Sequence, residues 1–430
     1  MISSRHAVVI GGGAIGVCSA YYLSLAGWQV TLVDRGEIGR GCSYGNACLI
    51  VPSHSHPLPA PGVVAQGLRW MTRRDSPFYI RPRLDPAVFR WAWQFRRYCT
   101  AEAAHRGFEA LLHLSRASLQ LFDELARSAD LEFFFRRTGL LHVYVTGEGF
   151  AAARHEQEAL EAAGFRTRLL PSGDAREFEP ALGGPALDGP VRGGLFIEGE
   201  AHADSYGFVQ AMAAACERRG VEVLTGQTVS RVRTSQGRAA SVLVEPSADD
   251  DALNAEELPA DVVVLAAGSW TPGLAATLGI RIPLQPAKGY SCTIDAFEGM
   301  PAVPVLIAER RVIITPLAHR VRFGGTLELA GFDLNIDRVR YGAVVRAARE
   351  VLREPPPMQR EEAWCGLRPL TPDGLPVIDR AADIDGVIVA TGHAMLGFTQ
   401  APITGKLVAE LADGRPASVP IEAFRLDRFA

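Results

Sequence analysis

The sequence predicts an α/β fold in which a parallel sheet, assembled from separated pieces of chain, is joined to a mixed, mainly antiparallel sheet with helices. Three observations predict it. A short apolar run at residues 7–10 leads into Gly11-Gly12-Gly13-Ala14-Ile15-Gly16 and then a helical stretch at 17–26. A second buried-strand pattern at 261–265 ends on Ala266-Ala267-Gly268, far along the chain. Alternating runs at 290–294, 312–316 and 321–325 carry the period of antiparallel strands.

The elements follow in order. Residues 7–10 are wholly apolar, as a central parallel strand covered on both faces must be. Gly11 permits a tight turn, Gly13 lets the backbone approach a pyrophosphate, and Gly16 lets the helix pack on the strand. The helix N-terminus, with Ala14 and Ile15, faces the phosphates. Gly27 closes the helix, residues 29–33 form a second strand, and Asp34 ends it, 18 residues after Gly16. A carboxylate there accepts both ribose hydroxyls and disfavours a 2′-phosphate, although Arg35 is adjacent. This Rossmann-like order, more than the glycines alone, predicts dinucleotide binding. It does not choose between NAD and FAD. The small, polar stretch 39–46 (GRGCSYGN) stands where an NAD enzyme begins its next helix, and Ser43 and Asn46 suit a second phosphate or a flavin.

Composition bounds the partners. The chain has 430 residues, 48 % of them hydrophobic, which is enough for two domains. A net charge of −4 with scattered signs gives no reason to expect nucleic acid. Seven cysteines without a CxxC pair or a Cys/His cluster imply reduced thiols, a cytoplasmic setting and no metal site. The glycine turn lies too near the start for a cleaved signal peptide, and no run is long enough to span a bilayer. Helical spacing recurs at 86–98, 103–128 and 150–163. The aromatic and arginine-rich stretch containing Trp70, Trp91, Trp93, Phe95 and Tyr98 reads as core, a lid, or a patch on the inner face of the membrane. The acidic stretch 246–257 reads as a solvated hairpin tip. The return at 261–265 makes the first domain discontinuous: residues 1–56, 191–275 and 362–430, with 57–190 and 276–361 forming the other.

Near the C-terminus, Gly366-Leu367-Arg368-Pro369 precedes Thr371-Pro372-Asp373-Gly374, a strand at 386–390, and Gly392-His393-Ala394-Met395-Leu396-Gly397-Phe398-Thr399. Arg368, in an apolar segment, suits either a carboxylate held bidentately or a buried ion pair. The second glycine-rich turn opens a helix from about 399, whose N-terminus suits negative charge on a reduced flavin. His393 reads as a base or as a packed histidine.

These segments, with Ser43…Asn46-Ala47, Ala266-Ala267-Gly268 and Ala287-Lys288-Gly289-Tyr290-Ser291, resemble the D-amino-acid oxidase/glycine oxidase superfamily, and within it the bacterial D-amino-acid dehydrogenases. The resemblance covers nearly the whole chain. It implies FAD, a flavin domain and a substrate domain, and oxidation of a D-amino acid to an imino acid by hydride transfer from Cα to flavin N5. It implies that Arg368, with Tyr290, fixes the carboxylate and that a backbone group at Val229 meets the adenine. It also implies that Ala267, Gly268, Gly392 and 395–399 line the cofactor. Electrons would pass to a quinone, another carrier or O2. The chain departs from the pattern at Met395, where glycine oxidases carry a second arginine, and at Cys48, where glycine is usual. His54 and His56 replace a tyrosine and a small residue, and two histidines suit a hydroxylated cyclic substrate such as cis-4-hydroxy-D-proline. Cysteine linkage to flavin in related sarcosine oxidases maps to Gly366, one residue from Cys365, so non-covalent FAD is expected. Glycine, sarcosine or another secondary amine is the alternative substrate. An FAD-holding relay subunit without its own substrate is the alternative class.

Overall fold

The computed structural model describes residues 5–71, 75–183, 189–247, 255–354 and 356–429. Its first sheet has six strands in the order Glu222–Thr225, Gln29–Asp34, His6–Ile10, Val262–Leu265, Val387–Thr391, Val377–Arg380. Five run parallel and the last pairs antiparallel at the edge. Both faces of the central strand are covered, which is why its sequence is apolar throughout. Ala7 and Val9 pack with Val17, Phe208, Met212 and Val408, which come from helices Ala14–Leu25, Ser205–Arg218 and Ala401–Ala412. Val8 and Ile10 point the other way, onto Val229, Val232, Val242 and Val244 of a three-stranded antiparallel meander. The expected hairpin tip at 246–257 falls largely outside the described residues, but its flanks pair as Arg238–Pro246 and Glu256–Pro259.

Among the described residues the second sheet has nine strands. Strands Gln285–Asp295, Arg320–Leu329 and Val312–Pro316 pair antiparallel, as the alternating runs predict. Parallel pairing occurs between Leu140–Tyr144 and Val305–Ile307, and between Phe78–Ile80 and Arg320–Leu329. Helix Arg338–Val351 covers one face with Val344, Ala347, Ala348 and Val351.

The expected domain boundaries need correction. Strands Gly193–Ile197 and Glu362–Leu370 hydrogen-bond into the nine-stranded sheet, not the parallel one. Helix Ala101–Leu125, assigned to the substrate domain, instead buries Leu119, Phe122 and Leu125 against the parallel layer and Leu111 and Leu114 against Ile403 and Leu407. Local pattern tells a segment which face is apolar but not which distant sheet covers it. The aromatic–arginine stretch divides the same way. Trp91 is buried, stacks on Phe95 and donates to the Leu370 carbonyl, whereas Phe89 and Trp93 of the same helix, Pro86–Tyr98, are 61 % exposed. Among the described residues no helix is long and apolar enough to cross a membrane.

Candidate active site

A cavity of about 1950 Å³ is lined by residues of both sheets. Its first end is the glycine turn. Gly11 has φ +112°, and a Cβ there would lie 2.5 Å from the Ala266 carbonyl oxygen. Only glycine lets this turn nestle against the end of the Val262–Leu265 strand. Gly13 faces space, with Ser43 Oγ 3.5 Å from where its Cβ would be. The Ala14 N–H donates to that Oγ at 3.0 Å. Asp34 accepts from the Gly12 N–H at 2.6 Å and the Gly36 N–H at 2.8 Å, so the carboxylate braces the turn as well as facing the cavity. Arg35 stacks over Trp270, and Ile15, Val229, Ala267 and Gly268 complete this end. Gly16 does not line the cavity. A Cβ there would overlap the Gly11 carbonyl oxygen, so its role is packing.

Asn46 and Ala47 line the middle. Asn46 Oδ1 accepts from the Cys48 N–H at 2.8 Å, and Cys48 has φ +64°. That left-handed backbone explains why glycine suits the position. The Cys48 side chain is fully buried, with Sγ 3.2 Å from the Arg322 guanidinium.

The loop after the Val387–Thr391 strand brings Met395, Leu396, Gly397, Phe398 and Thr399 to the wall. Thr399 Oγ1 donates to the Leu49 carbonyl at 3.1 Å, and Phe398 is buried against Phe122 and Phe208. Gly392 lies behind the wall, at φ +82°, where a Cβ would press on Thr371. His393 borders the cavity but is buried, its Nε2 pairs with Thr404 Oγ1 at 3.0 Å, and burial pulls its pKa down to about 3.

Arg368 is half-buried on the cavity wall and donates through one guanidinium nitrogen to the Thr326 carbonyl at 2.7 Å. Among the described residues no carboxylate pairs with it. Burial lowers the guanidinium's pKa, and the Cys42 thiol opposes the shift. Gly289, its cross-strand neighbour's neighbour, clears the space: a Cβ there would overlap the guanidinium. Tyr290 is the clear correction. One residue along an extended strand turns it to the opposite face, where it is buried and its hydroxyl donates to Glu328 at 2.5 Å, with Lys288 and Arg340 alongside. It does not line the cavity.

His54 does line it, in company the sequence did not reveal. Its Nε2 lies 2.9 Å from His142 Nε2, and His142 Nδ1 lies 2.8 Å from Glu156. His56 stacks on Phe108. His142 sits on strand Leu140–Tyr144, and Glu156 on helix Gly147–Ala162, legible in the sequence only as helical spacing at 150–163. A histidine on the inward parity of a buried strand was the available signal.

A glycine turn at a helix N-terminus, a long cavity and an arginine without an acidic partner define a nucleotide-dependent oxidoreductase. The chain belongs to the DAO family of FAD-dependent oxidoreductases, which it matches over residues 6–411. It is 34 % identical over 418 residues to a protein named D-amino acid dehydrogenase from Methylobacterium nodulans, covering 96 % of this chain and 97 % of that one. A protein of the same name from Vibrio vulnificus is 32 % identical over 424 residues, covering 97 % and 99 %. The fold is that of the glycine oxidase from Geobacillus kaustophilus, with TM-score 0.75, 21 % identity and coverage of 98 % and 99 %. The residues fit FAD: Gly13 leaves room for a pyrophosphate, Asp34 faces the cavity where a ribose would be held, and the cavity continues past Ala47 to the Leu396–Thr399 loop.

Proposed function

We propose that the protein oxidises a D-amino acid to its imino acid, which water hydrolyses to the 2-oxo acid. The observation that carries this is Arg368: a guanidinium on the wall of the FAD cavity, seated over Gly289, without an acidic partner among the described residues. The names of the curated relatives support the substrate class. FAD supplies a two-electron acceptor for the Cα hydride. The chain's own contribution is orientation. Arg368 holds the carboxylate, which limits the orientations in which the Cα–H can meet the flavin. His54 and His142 support a cyclic substrate such as cis-4-hydroxy-D-proline or D-proline. The Cys365 thiol is engaged with the Leu334 carbonyl at 3.0 Å, which supports FAD held without a covalent link. Electrons leave to a quinone or other carrier, or to O2. Exposed Phe89 and Trp93, near Arg96 and Arg97, support a peripheral contact with a membrane surface.

The test is anaerobic bleaching of the bound flavin by a panel of D-amino acids, D-proline analogues, glycine and sarcosine. The reading expects D-amino acids to bleach it. Bleaching by glycine or sarcosine alone would move the substrate class, and bleaching by none would leave a relay subunit.

A further inference from the structure

Two bare backbone positions face each other beneath Arg368. Gly289 and Gly366 are direct register partners in strands Gln285–Asp295 and Glu362–Leu370, and directly opposed residues of an antiparallel pair point to one face. A Cβ at Gly289 would overlap the Arg368 guanidinium, and a Cβ at Gly366 would overlap the Cη2 and Cζ2 atoms of Trp364. Opposed Cβ positions lie about 4.5–5.5 Å apart, so the guanidinium and that edge of the indole are within about 10 Å of each other. Trp364, Gly366, Arg368 and Gly289 all line the cavity. A single amino acid spans this distance, with its carboxylate on the guanidinium and its side chain at the indole.

The indole is seated from both sides. A Cβ at Gly45 would overlap Cε3 and Cδ2, the opposite edge of the same six-membered ring, and Gly45 belongs to the loop that carries Ser43 and Asn46. The ring is therefore fixed in place between backbone of that loop and backbone of the sheet. The guanidinium is placed from its far side. Its Nη1 donates to the Thr326 carbonyl at 2.7 Å, on strand Arg320–Leu329 beyond the strand of Gly289, which leaves Nε and Nη2 for a carboxylate. Between the two side chains lies a floor of glycine backbone, with a cation at one end and a rigid apolar plate at the other.

We propose that Trp364 is a specificity-determining residue: the edge of its indole over Gly366 is the wall that the substrate's side chain meets, and it limits the size of that side chain. The inference rests on the reading that Arg368 holds the carboxylate, and it names what the other end of the same molecule touches. A ring with backbone behind it at Gly45 cannot yield to a side chain that overruns it, so overpacking is costly there. The wall separates amino acids by size and not by hydrogen bonding.

With the FAD-loaded enzyme, kcat/KM for D-tryptophan and D-alanine is compared in wild type and Trp364→Leu, which shortens the wall over Gly366. The ratio of D-tryptophan to D-alanine should rise about tenfold or more in the variant, the discrimination that one methylene gives in an apolar pocket. A smaller rise, or an equal loss on both substrates as a purely structural role would give, overturns the proposal. Should Trp364→Leu not hold FAD, Trp364→Phe carries the same expectation, because it keeps an aromatic ring against Gly45 while drawing back from Gly366. If no D-amino acid bleaches the flavin, the proposed reaction fails, and the Kd values of acetate and phenylacetate, read from perturbation of the oxidised flavin spectrum, still decide the wall. Their ratio should move toward phenylacetate in the variant, and an unchanged ratio overturns the proposal. Arg368→Ala should weaken both ligands in wild type and variant alike, which tells a failure of the carboxylate reading from a failure of the wall.

Discussion

Arg368 and Gly289 work as a pair, and the pair yields a prediction that separates binding from folding. Arg368→Ala removes charge-assisted hydrogen bonds to the substrate carboxylate, about 1.5–3 kcal/mol, so KM for the amino acid should rise roughly 10- to 100-fold. Gly289→Ala should act in the same direction for another reason. Its methyl meets the far end of a flexible side chain, not backbone, so the guanidinium swings aside at small cost. The expected outcome is a raised KM with a melting temperature within a few degrees of wild type. A Gly289→Ala enzyme with unchanged KM would show that the guanidinium does not meet the carboxylate. Tyr290 reverses the pattern. Its hydroxyl is bonded to Glu328 inside a buried cluster with Lys288 and Arg340. Tyr290→Phe leaves that carboxylate short of a donor and should cost about 1–3 kcal/mol of stability, read in denaturant midpoints, while KM stays put. A KM rise without loss of stability would restore the carboxylate role that the structure takes from Tyr290.

At the scale of elements, the glycine turn shows what a sequence can and cannot say. Strand, GGGAIG, helix and Asp34 were legible because each is local: an apolar run, a spacing, a terminal acid. Gly16 was legible as a motif member, yet its work is contact with the Gly11 carbonyl and not with ligand. Gly16→Ala forces a methyl onto backbone that cannot yield. The helix must move away from the turn, and the pyrophosphate cradle opens with it. FAD affinity should fall by tenfold or more in an equilibrium reconstitution of apoenzyme, in parallel with a lower melting temperature. An FAD Kd equal to wild type would mean that helix placement does not set the cradle. The elements that sequence reasoning misplaced share one property. Helix Ala101–Leu125 is right in kind, whereas strands Gly193–Ile197 and Glu362–Leu370 were placed in the first domain without an element, and the partners of all three lie far away in sequence. Tyr290 was misread for a related reason. A motif fixes residue identity, whereas a bulge between Lys288 and Tyr290 and the parity of the strand fix which face the ring takes. The His54–His142–Glu156 chain joins three segments whose meeting no local pattern encodes.

At the scale of the whole molecule, His54, His202, His393 and Glu200 are among the titratable groups that make stability vary with pH, and they pull in opposite directions. Burial lowers the pKa of His54 and His393 to about 3 and of His202 to about 4, from 6.5. These rings are neutral when folded, whereas the unfolded chain protonates them below 6.5. Their contribution is therefore complete above that value and is lost as pH falls toward 4, about 1.36 kcal/mol per unit for each. Glu200 has the opposite sign. It is 1 % exposed, accepts the Ser53 N–H at 3.0 Å, and burial raises its pKa from 4.5 to about 8. The folded state holds its proton where the unfolded state has released it. The stability this confers is complete below 4.5 and is lost as pH rises through about 8. Glu200→Gln isolates this group, because the histidine contributions cancel when variant and wild type are compared at one pH. The amide cannot ionise and still offers an oxygen to Ser53. Relative to wild type, the variant should gain steadily between pH 5 and 8, on the order of 4 kcal/mol across the window, and the gap should stop widening above 8. Thermal melts of the two proteins at half-unit steps read this directly. Parallel curves would mean that Glu200 ionises in the folded state as it does in the unfolded chain. The turn Pro52–His54 would then rest on a charged acceptor at the Ser53 N–H.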